Sequence, residues 1–249
     1  MSKFKYIFSL FFVATLLACQ PEKVETTAIS ILIDITDERF QDENFMEENL
    51  SKFLKLMKLD KEKGGYGGGE IKFSLINEVS DSKSLTTKIV AGKTGMMGEN
   101  PLTRKDEVNR FCAETEKVFS TIMKKANWGT NASKIYQKVA RECLKMKRID
   151  ADRKVLIIYS DMLENSNLFS FYSSGWQKNI DKLMATPNET LEKFGKKAPV
   201  LPDLSEFEIR IITSRTAEND EKINVSEQFW ITIFEHQGAT VTFNSTLDC

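Results

Sequence analysis

Two apolar segments of the sequence each have an aspartate at their carboxyl end. These two aspartates are the first candidates for a functional site. Residues 28–35 contain Asp34 near their end, and residues 154–160 are followed directly by Asp161. Apolar runs of this kind are typical of strands that are buried on both faces of a sheet. Ligands of such sheets bind beyond the carboxyl ends of the strands. The sequence therefore predicts a site around Asp34 and Asp161.

The loops around these aspartates offer oxygen ligands only. Thr36 and Glu38 follow Asp34 along the chain, and Thr130 opens the helix that precedes the strand of Asp161. If the three loops meet, carboxylate and hydroxyl oxygens surround one point, an environment that suits Mg²⁺, Mn²⁺ or Ca²⁺. The alternative is structural, because Asp and Thr at strand ends also cap helices and close loop turns.

The elements that would position these loops alternate between strand and helix. Residues 71–79 and 85–90 are predicted to be strands joined by a short turn at 80–83, which implies an antiparallel pair. Helices between the remaining buried strands imply parallel pairing. We therefore predict an α/β fold in three layers: a mainly parallel sheet with helices on both faces and one antiparallel edge strand. The predicted helices cover residues 43–59, a stripe from 108 to 122, a stripe from 135 to 146 and a stripe from 225 to 234.

Two further segments are predicted from composition. The glycine-rich residues 64–69 are predicted to be a flexible surface loop. Residues 162–205 form a long insertion, and its aromatic residues indicate either a recognition surface or a small local core. These aromatic residues are Phe169, Phe171, Tyr172 and Trp176.

Taken together, the candidate site and the order of elements resemble the von Willebrand factor A domain over roughly residues 28–244. That family places a D-x-S-x-S loop after its first strand, a Thr in a second loop and an Asp after its fourth strand. Asp34 and Thr36 match the first loop, Thr130 matches the second and Asp161 matches the third. Residues 229–243 also resemble the last helix and strand of the family.

The resemblance implies a sheet in the order 3-2-1-4-5-6 and a metal-ion-dependent adhesion site. The implied ligands are Asp34, Thr36, Glu38, Thr130 and Asp161, and an acidic group of a protein partner would take the open coordination position. Glu38 stands where the family has a second Ser. Three alternatives follow: this carboxylate binds the metal more tightly, fills the open position, or points to solvent in a site that no longer works.

The N-terminus has the features of a lipoprotein export signal. Lys3 and Lys5 precede an apolar run at residues 7–18, which is shorter than the about 20 residues needed to span a bilayer. The motif from Leu16 to Cys19 resembles the bacterial lipobox, which implies cleavage before Cys19 and lipidation of its thiol; an ordinary secretory signal is the alternative. Gln20 after the cysteine favours the outer membrane. We predict a signal peptide at 1–18, the lipidated cysteine and a tether at 19–27, and one domain at 28–249.

Composition and motifs argue against several functions. Lys and Arg number 35 and Asp and Glu 36, so no basic excess is available for nucleic acid. His236 is the one histidine, which excludes zinc sites built on several histidines. Residues 92–94 resemble the end of a phosphate-binding loop, but Thr87 stands where that motif needs glycine, so no nucleotide is expected. Cys112 and Cys143 lie on helix stripes and are predicted to be buried free thiols, with a disulfide as the alternative.

These observations favour a lipid-anchored module of the bacterial cell envelope that binds a protein or peptide partner and catalyses no reaction. Its contact with the membrane would be the lipid on Cys19. One alternative is a metal-dependent hydrolase that uses Asp34, Glu38 and Asp161 as ligands or base. The other is a scaffold that has kept the fold and lost the metal.

Overall fold

The predicted strands form one sheet, seen in a computed structural model that describes residues 24–36, 40, 44–77, 84–94, 98–126, 132–216 and 219–248. The strands are β1 (Thr26–Asp34), β2 (Gly68–Ile76), β3 (Leu85–Ile89), β4 (Arg153–Tyr159), β5 (Phe207–Ile212) and β6 (Thr240–Asn244). The helices are α1 (Phe45–Leu56), α2 (Pro101–Met123), α3 (Ile135–Met146), α4 (Trp176–Ala185), α5 (Pro187–Gly195) and α6 (Asp220–His236). The predicted turn at 80–83 lies outside the described residues.

The sheet has the strand order β3-β2-β1-β4-β5-β6. All neighbours pair in parallel except β2 and β3, which are antiparallel, so β3 is the antiparallel edge strand. The predicted fold class is thus confirmed, including the strand order that the resemblance implied. The order reverses between β1 and β4, where Ile33 lies beside Tyr159. Asp34 and Ser160 therefore emerge side by side at the carboxyl edge.

The sheet separates two apolar clusters, which gives the three layers. Side chains of α1 and α2 pack on one face, and side chains of α3 to α6 pack on the other. Cys112 belongs to the first cluster and Cys143 to the second. Both are buried free thiols, as predicted, because they lie on opposite faces of the sheet and cannot approach each other. Within the described ranges, no helix combines the length and the apolar character that crossing a bilayer requires.

The glycine-rich segment is not the flexible loop that its composition predicted. Gly68 and Gly69 are the first residues of β2. A Cβ atom on Gly67 would lie 1.7 Å from the Met57 carbonyl oxygen, and one on Gly69 would lie 1.9 Å from the Thr27 carbonyl oxygen. Gly67 and Gly69 are therefore required for close backbone packing, since any side chain there would collide with the backbone of Met57 or Thr27.

The insertion forms a local core rather than an aromatic recognition surface. Phe171 is fully buried, and Phe169 stacks on Phe194 of α5 with ring centroids 5.4 Å apart. Trp176 packs against Phe171 at a centroid distance of 5.6 Å. Tyr172 is the exception, because it remains 57% exposed.

Candidate functional site

Asp34 is the centre of a hydrogen-bonded cluster at the carboxyl edge of the sheet. Its Oδ1 accepts hydrogen bonds from the backbone amide of Thr36 (3.0 Å) and from the Thr36 hydroxyl (2.7 Å). Its Oδ2 accepts from the hydroxyls of Ser133 (2.9 Å) and Ser160 (2.7 Å). Ser133 precedes α3 and Ser160 follows β4, so one carboxylate joins three loops. The loop of Asp34 and Thr36 therefore meets two other loops, as predicted. The hydroxyls that join these loops to Asp34 belong to Ser133 and Ser160, which were not predicted as site residues.

The Asp34 carboxyl is buried without a basic partner among the residues that the structure describes. Burial raises its pKa above the ordinary value, and the hydrogen bonds from Thr36, Ser160 and Ser133 oppose this rise. None of the largest contributions to this shift comes from a lysine, arginine or histidine. Buried carboxylates are normally paired with a cation or coordinate a metal. When Asp34 is ionised, its charge is stabilised in the described part of the site by hydrogen-bond donors.

Glu164 is a second buried carboxyl close to Asp34, and the sequence pattern did not predict it as part of the site. Its Oε2 accepts a hydrogen bond from the backbone amide of Tyr136 in the first turn of α3 (2.8 Å), while Oε1 is buried without a hydrogen-bond partner among the described residues. Burial raises the pKa of Glu164 to about 8, and the charge of Asp34 acts in the same direction. Glu164 is therefore protonated at neutral pH.

Asp161 lies half-buried on the same edge, directly after Ser160. Its Oδ1 accepts the backbone amide of Leu163 (2.9 Å), which is the loop-turn role that the sequence left as an alternative. Three of the other residues singled out from the sequence lie outside the described residues. These residues are Cys19, Glu38 and Thr130.

The turn after Asp161 is held by helix α6. Met162 has φ of 58°, an uncommon left-handed conformation for a residue with a side chain. Its carbonyl oxygen accepts hydrogen bonds from the Ser226 hydroxyl (2.7 Å) and from the Trp230 indole (2.8 Å), and its amide donates to the Ser160 hydroxyl (2.9 Å). These bonds fix the loop that carries Ser160 and Asp161 before any ligand binds.

The cluster is suited to a hard cation through hydroxyl oxygens rather than through many carboxylates. Because Thr36, Ser133 and Ser160 donate their protons to Asp34, their remaining lone pairs can face a cation. Within the described ranges, no three side chains of His, Cys, Asp or Glu are grouped so that they could hold a metal. A metal here would therefore depend on Asp34, Asp161 and neighbouring hydroxyls together.

Comparisons with known proteins identify no family. No protein-family model and no curated protein matches the sequence. Among solved structures, the human COPII-coat protein Sec24c is similar at 12% identity and a TM-score of 0.41, covering 91% of this chain and 30% of that one. The PilB minor pilin from Streptococcus sanguinis has 13% identity and a TM-score of 0.46, with 92% and 59% covered. The pilus adhesin SpaC from Lactobacillus rhamnosus GG has 9% identity and a TM-score of 0.43, with 91% and 29% covered.

This chain thus spans less than two thirds of the length of each of these structures. All three TM-scores lie below 0.5, so the function has to be argued from the site of this protein.

Proposed function

We propose that the protein is a lipid-anchored binding module of the bacterial cell envelope that holds a protein partner at the carboxyl edge of its sheet through a divalent cation. The observation that carries this proposal is Asp34, a buried carboxylate at the point where strand order reverses that has no basic partner in the part of the chain that the structure describes. Lipid on Cys19 would attach the module to the outer membrane. We propose binding without catalytic turnover.

In this proposal, Mg²⁺ or a related cation such as Mn²⁺ or Ca²⁺ would be held by Asp34, Thr36 and Asp161, together with Glu38 and Thr130. The cation would supply a positive charge that attracts an acidic group of the partner. The protein's own contribution is positioning: Asp34 gathers three loops, and α6 fixes the Ser160–Asp161 turn through the Met162 carbonyl. A preformed site of this kind reduces the ordering cost of binding.

The test is the melting temperature (Tm) of residues 20–249, measured in EDTA and then with excess Mg²⁺, Mn²⁺ or Ca²⁺. We expect the cation to raise Tm. A cation at 100 times its Kd stabilises the folded state by about 2.7 kcal/mol, which raises Tm by about 5 to 10 °C in a domain of this size. Asp161→Asn should lose most of that rise. Its amide oxygen can still accept the Leu163 amide, so the turn is preserved while the charge is removed.

Asp203→Asn is the matched control for this experiment. Asp203 also accepts the backbone amide of the residue two positions on, Ser205, but it lies before β5 at the opposite edge of the sheet. We expect the cation-induced rise in this variant to equal that of the unsubstituted domain. The same loss in both variants would mean that the cation acts on general surface charge, and the proposed site would be wrong.

One specific observation favours a second candidate, a scaffold that needs no cation. Each oxygen of Asp34 already accepts two hydrogen bonds, so the carboxylate is satisfied by the protein alone. In that case, none of the three cations would change Tm. Partner binding would then be insensitive to EDTA.

A further inference from the structure

The two most exposed large apolar side chains among the described residues belong to neighbouring segments at the edge of the sheet opposite to Asp34. Val90 is 84% exposed and Leu102 is 73% exposed, and Tyr66 nearby is 37% exposed. We call these three residues the basal patch. A single exposed apolar residue is ordinary, whereas a group of neighbouring ones indicates a contact surface.

The members of the basal patch are held by one buried side chain. The Arg104 guanidinium donates hydrogen bonds to the carbonyl oxygens of Val90 (2.9 Å), Gly65 (2.9 Å) and Gly67 (2.6 Å). Leu102 lies two residues before Arg104 in the first turn of α2, and Tyr66 lies between the two glycines. The backbone segments that carry the three exposed side chains are therefore joined through Arg104.

The N-terminal strand starts at this same edge. Thr26, the first residue of β1, lies beside Gly68, and Gly69 lies beside Ile89, the residue before Val90. Thr26 lies seven positions after Cys19, and this segment spans at most about 25 Å when fully extended. If Cys19 carries lipid, the basal patch is held within reach of the bilayer surface.

We propose that the basal patch rests on the phospholipid bilayer, with Val90 and Leu102 entering the boundary between headgroups and acyl chains. This inference depends on the lipid anchor of the proposed function. The tether alone permits any orientation of the domain relative to the membrane, so the apolar contact is what sets this orientation. The exposed Lys93 flanks the patch, and its long side chain can reach headgroup phosphates. Lys88 also lies beside the patch, where its ammonium pairs with the Glu70 carboxylate at 2.7 Å.

The proposed contact orients the candidate site away from the membrane. β1 has nine residues, so Asp34 lies about 25 to 30 Å from the basal edge, at about 3.3 Å per residue. The carboxyl edge therefore faces the aqueous space, where a protein partner can approach it.

The test measures the depth of a label in vesicles. The full lipidated chain is purified with Cys249→Ser, and either Leu102→Cys or Tyr172→Cys is labelled with a fluorophore; Cys112 and Cys143 are buried and do not compete. Each protein is reconstituted in phosphatidylethanolamine–phosphatidylglycerol vesicles that contain brominated lipid. We expect quenching at position 102 to be at least threefold stronger than at position 172, which is exposed on the insertion.

Adding Val90→Asp to the Leu102→Cys protein should reduce that quenching about threefold without changing Tm, because Val90 is too exposed to support the core. Equal quenching at both positions in protein that floats with the vesicles would overturn the basal contact and leave the anchor standing. Failure to float with the vesicles would overturn both the anchor and the contact that depends on it.

Discussion

Replacing Glu164 by glutamine is expected to remove a loss of stability that the protein otherwise undergoes as pH rises. In the unfolded chain Glu164 ionises near its ordinary pKa of 4.5, whereas burial raises its pKa to about 8 in the folded protein. Between these values the folded state holds a proton that the unfolded state has released. The free energy of unfolding therefore falls as pH increases through this window.

The expected magnitude follows from the size of the pKa difference. One pKa unit corresponds to about 1.4 kcal/mol, and half of the folded molecules have released the proton at pH 8, so the contribution lost is about 3 kcal/mol by pH 7 and about 4 kcal/mol by pH 8. Glutamine stays neutral, and its carbonyl oxygen can still accept the Tyr136 amide. The measurement is urea unfolding in EDTA at pH 4.5, 7 and 8. Relative to the difference at pH 4.5, the free energy of unfolding of Glu164→Gln should exceed that of the unsubstituted protein by these amounts at pH 7 and 8.

Glu116→Gln is the control for the pH experiment. The Glu116 side chain is 49% exposed and, among the described residues, its ion pair is with Lys61 at 3.4 Å, so its removal should leave the pH profile unchanged. Parallel profiles for Glu164→Gln and the unsubstituted protein would show that Glu164 is ionised in the folded state at neutral pH. A buried cation beside Asp34 and Glu164 would then be required even in EDTA-treated protein.

Arg104→Met is expected to lower the free energy of unfolding by about 3 to 5 kcal/mol, the range seen when one partner of a buried charged network is removed. Methionine fills a similar volume but donates no hydrogen bond. The carbonyl oxygens of Gly65, Gly67 and Val90 would lose their buried donor, and Glu107 would lose its ion pair. The measurement is the urea midpoint, with an unchanged m value showing that the folded state remains compact.

Arg110→Met on the same helix separates this effect from a general loss of positive charge. Arg110 is exposed and makes one long hydrogen bond of 3.4 Å to the Asp106 carbonyl oxygen. A change within about 0.5 kcal/mol is expected there. If Arg104→Met also changed stability by less than 1 kcal/mol, the glycine segment would not depend on this guanidinium.

The sheet could be predicted from the sequence because its central strands are buried on both faces. β1 has eight buried residues in succession, and such a run leaves little choice of structure. The start of β2 could not be predicted, because Gly68 and Gly69 carry no side-chain pattern. Their role depends on Thr27 and Ala91, which are distant in sequence and approach only after folding.

The candidate site was predicted only where residues follow the strands directly. Asp34 is the last residue of β1 and Thr36 lies just beyond it, so both could be predicted from the buried strand. Ser160 directly follows β4 and carries the same signal. Ser133 and Glu164 were not predicted as site residues, because they lie in irregular segments where periodicity carries no information. Whether Glu38 and Thr130 join the cluster remains a prediction.

The placement of Cys112 and Cys143 on opposite faces of the sheet bears on how the domain folds if it is exported, as we propose. An exported domain enters an oxidising compartment, where neighbouring thiols are commonly joined. Here the sheet stands between the two sulfur atoms, and burial raises the pKa of both thiols, so little reactive thiolate is available. The domain should therefore fold equally well on either side of the inner membrane, and its folding should not depend on thiol oxidases.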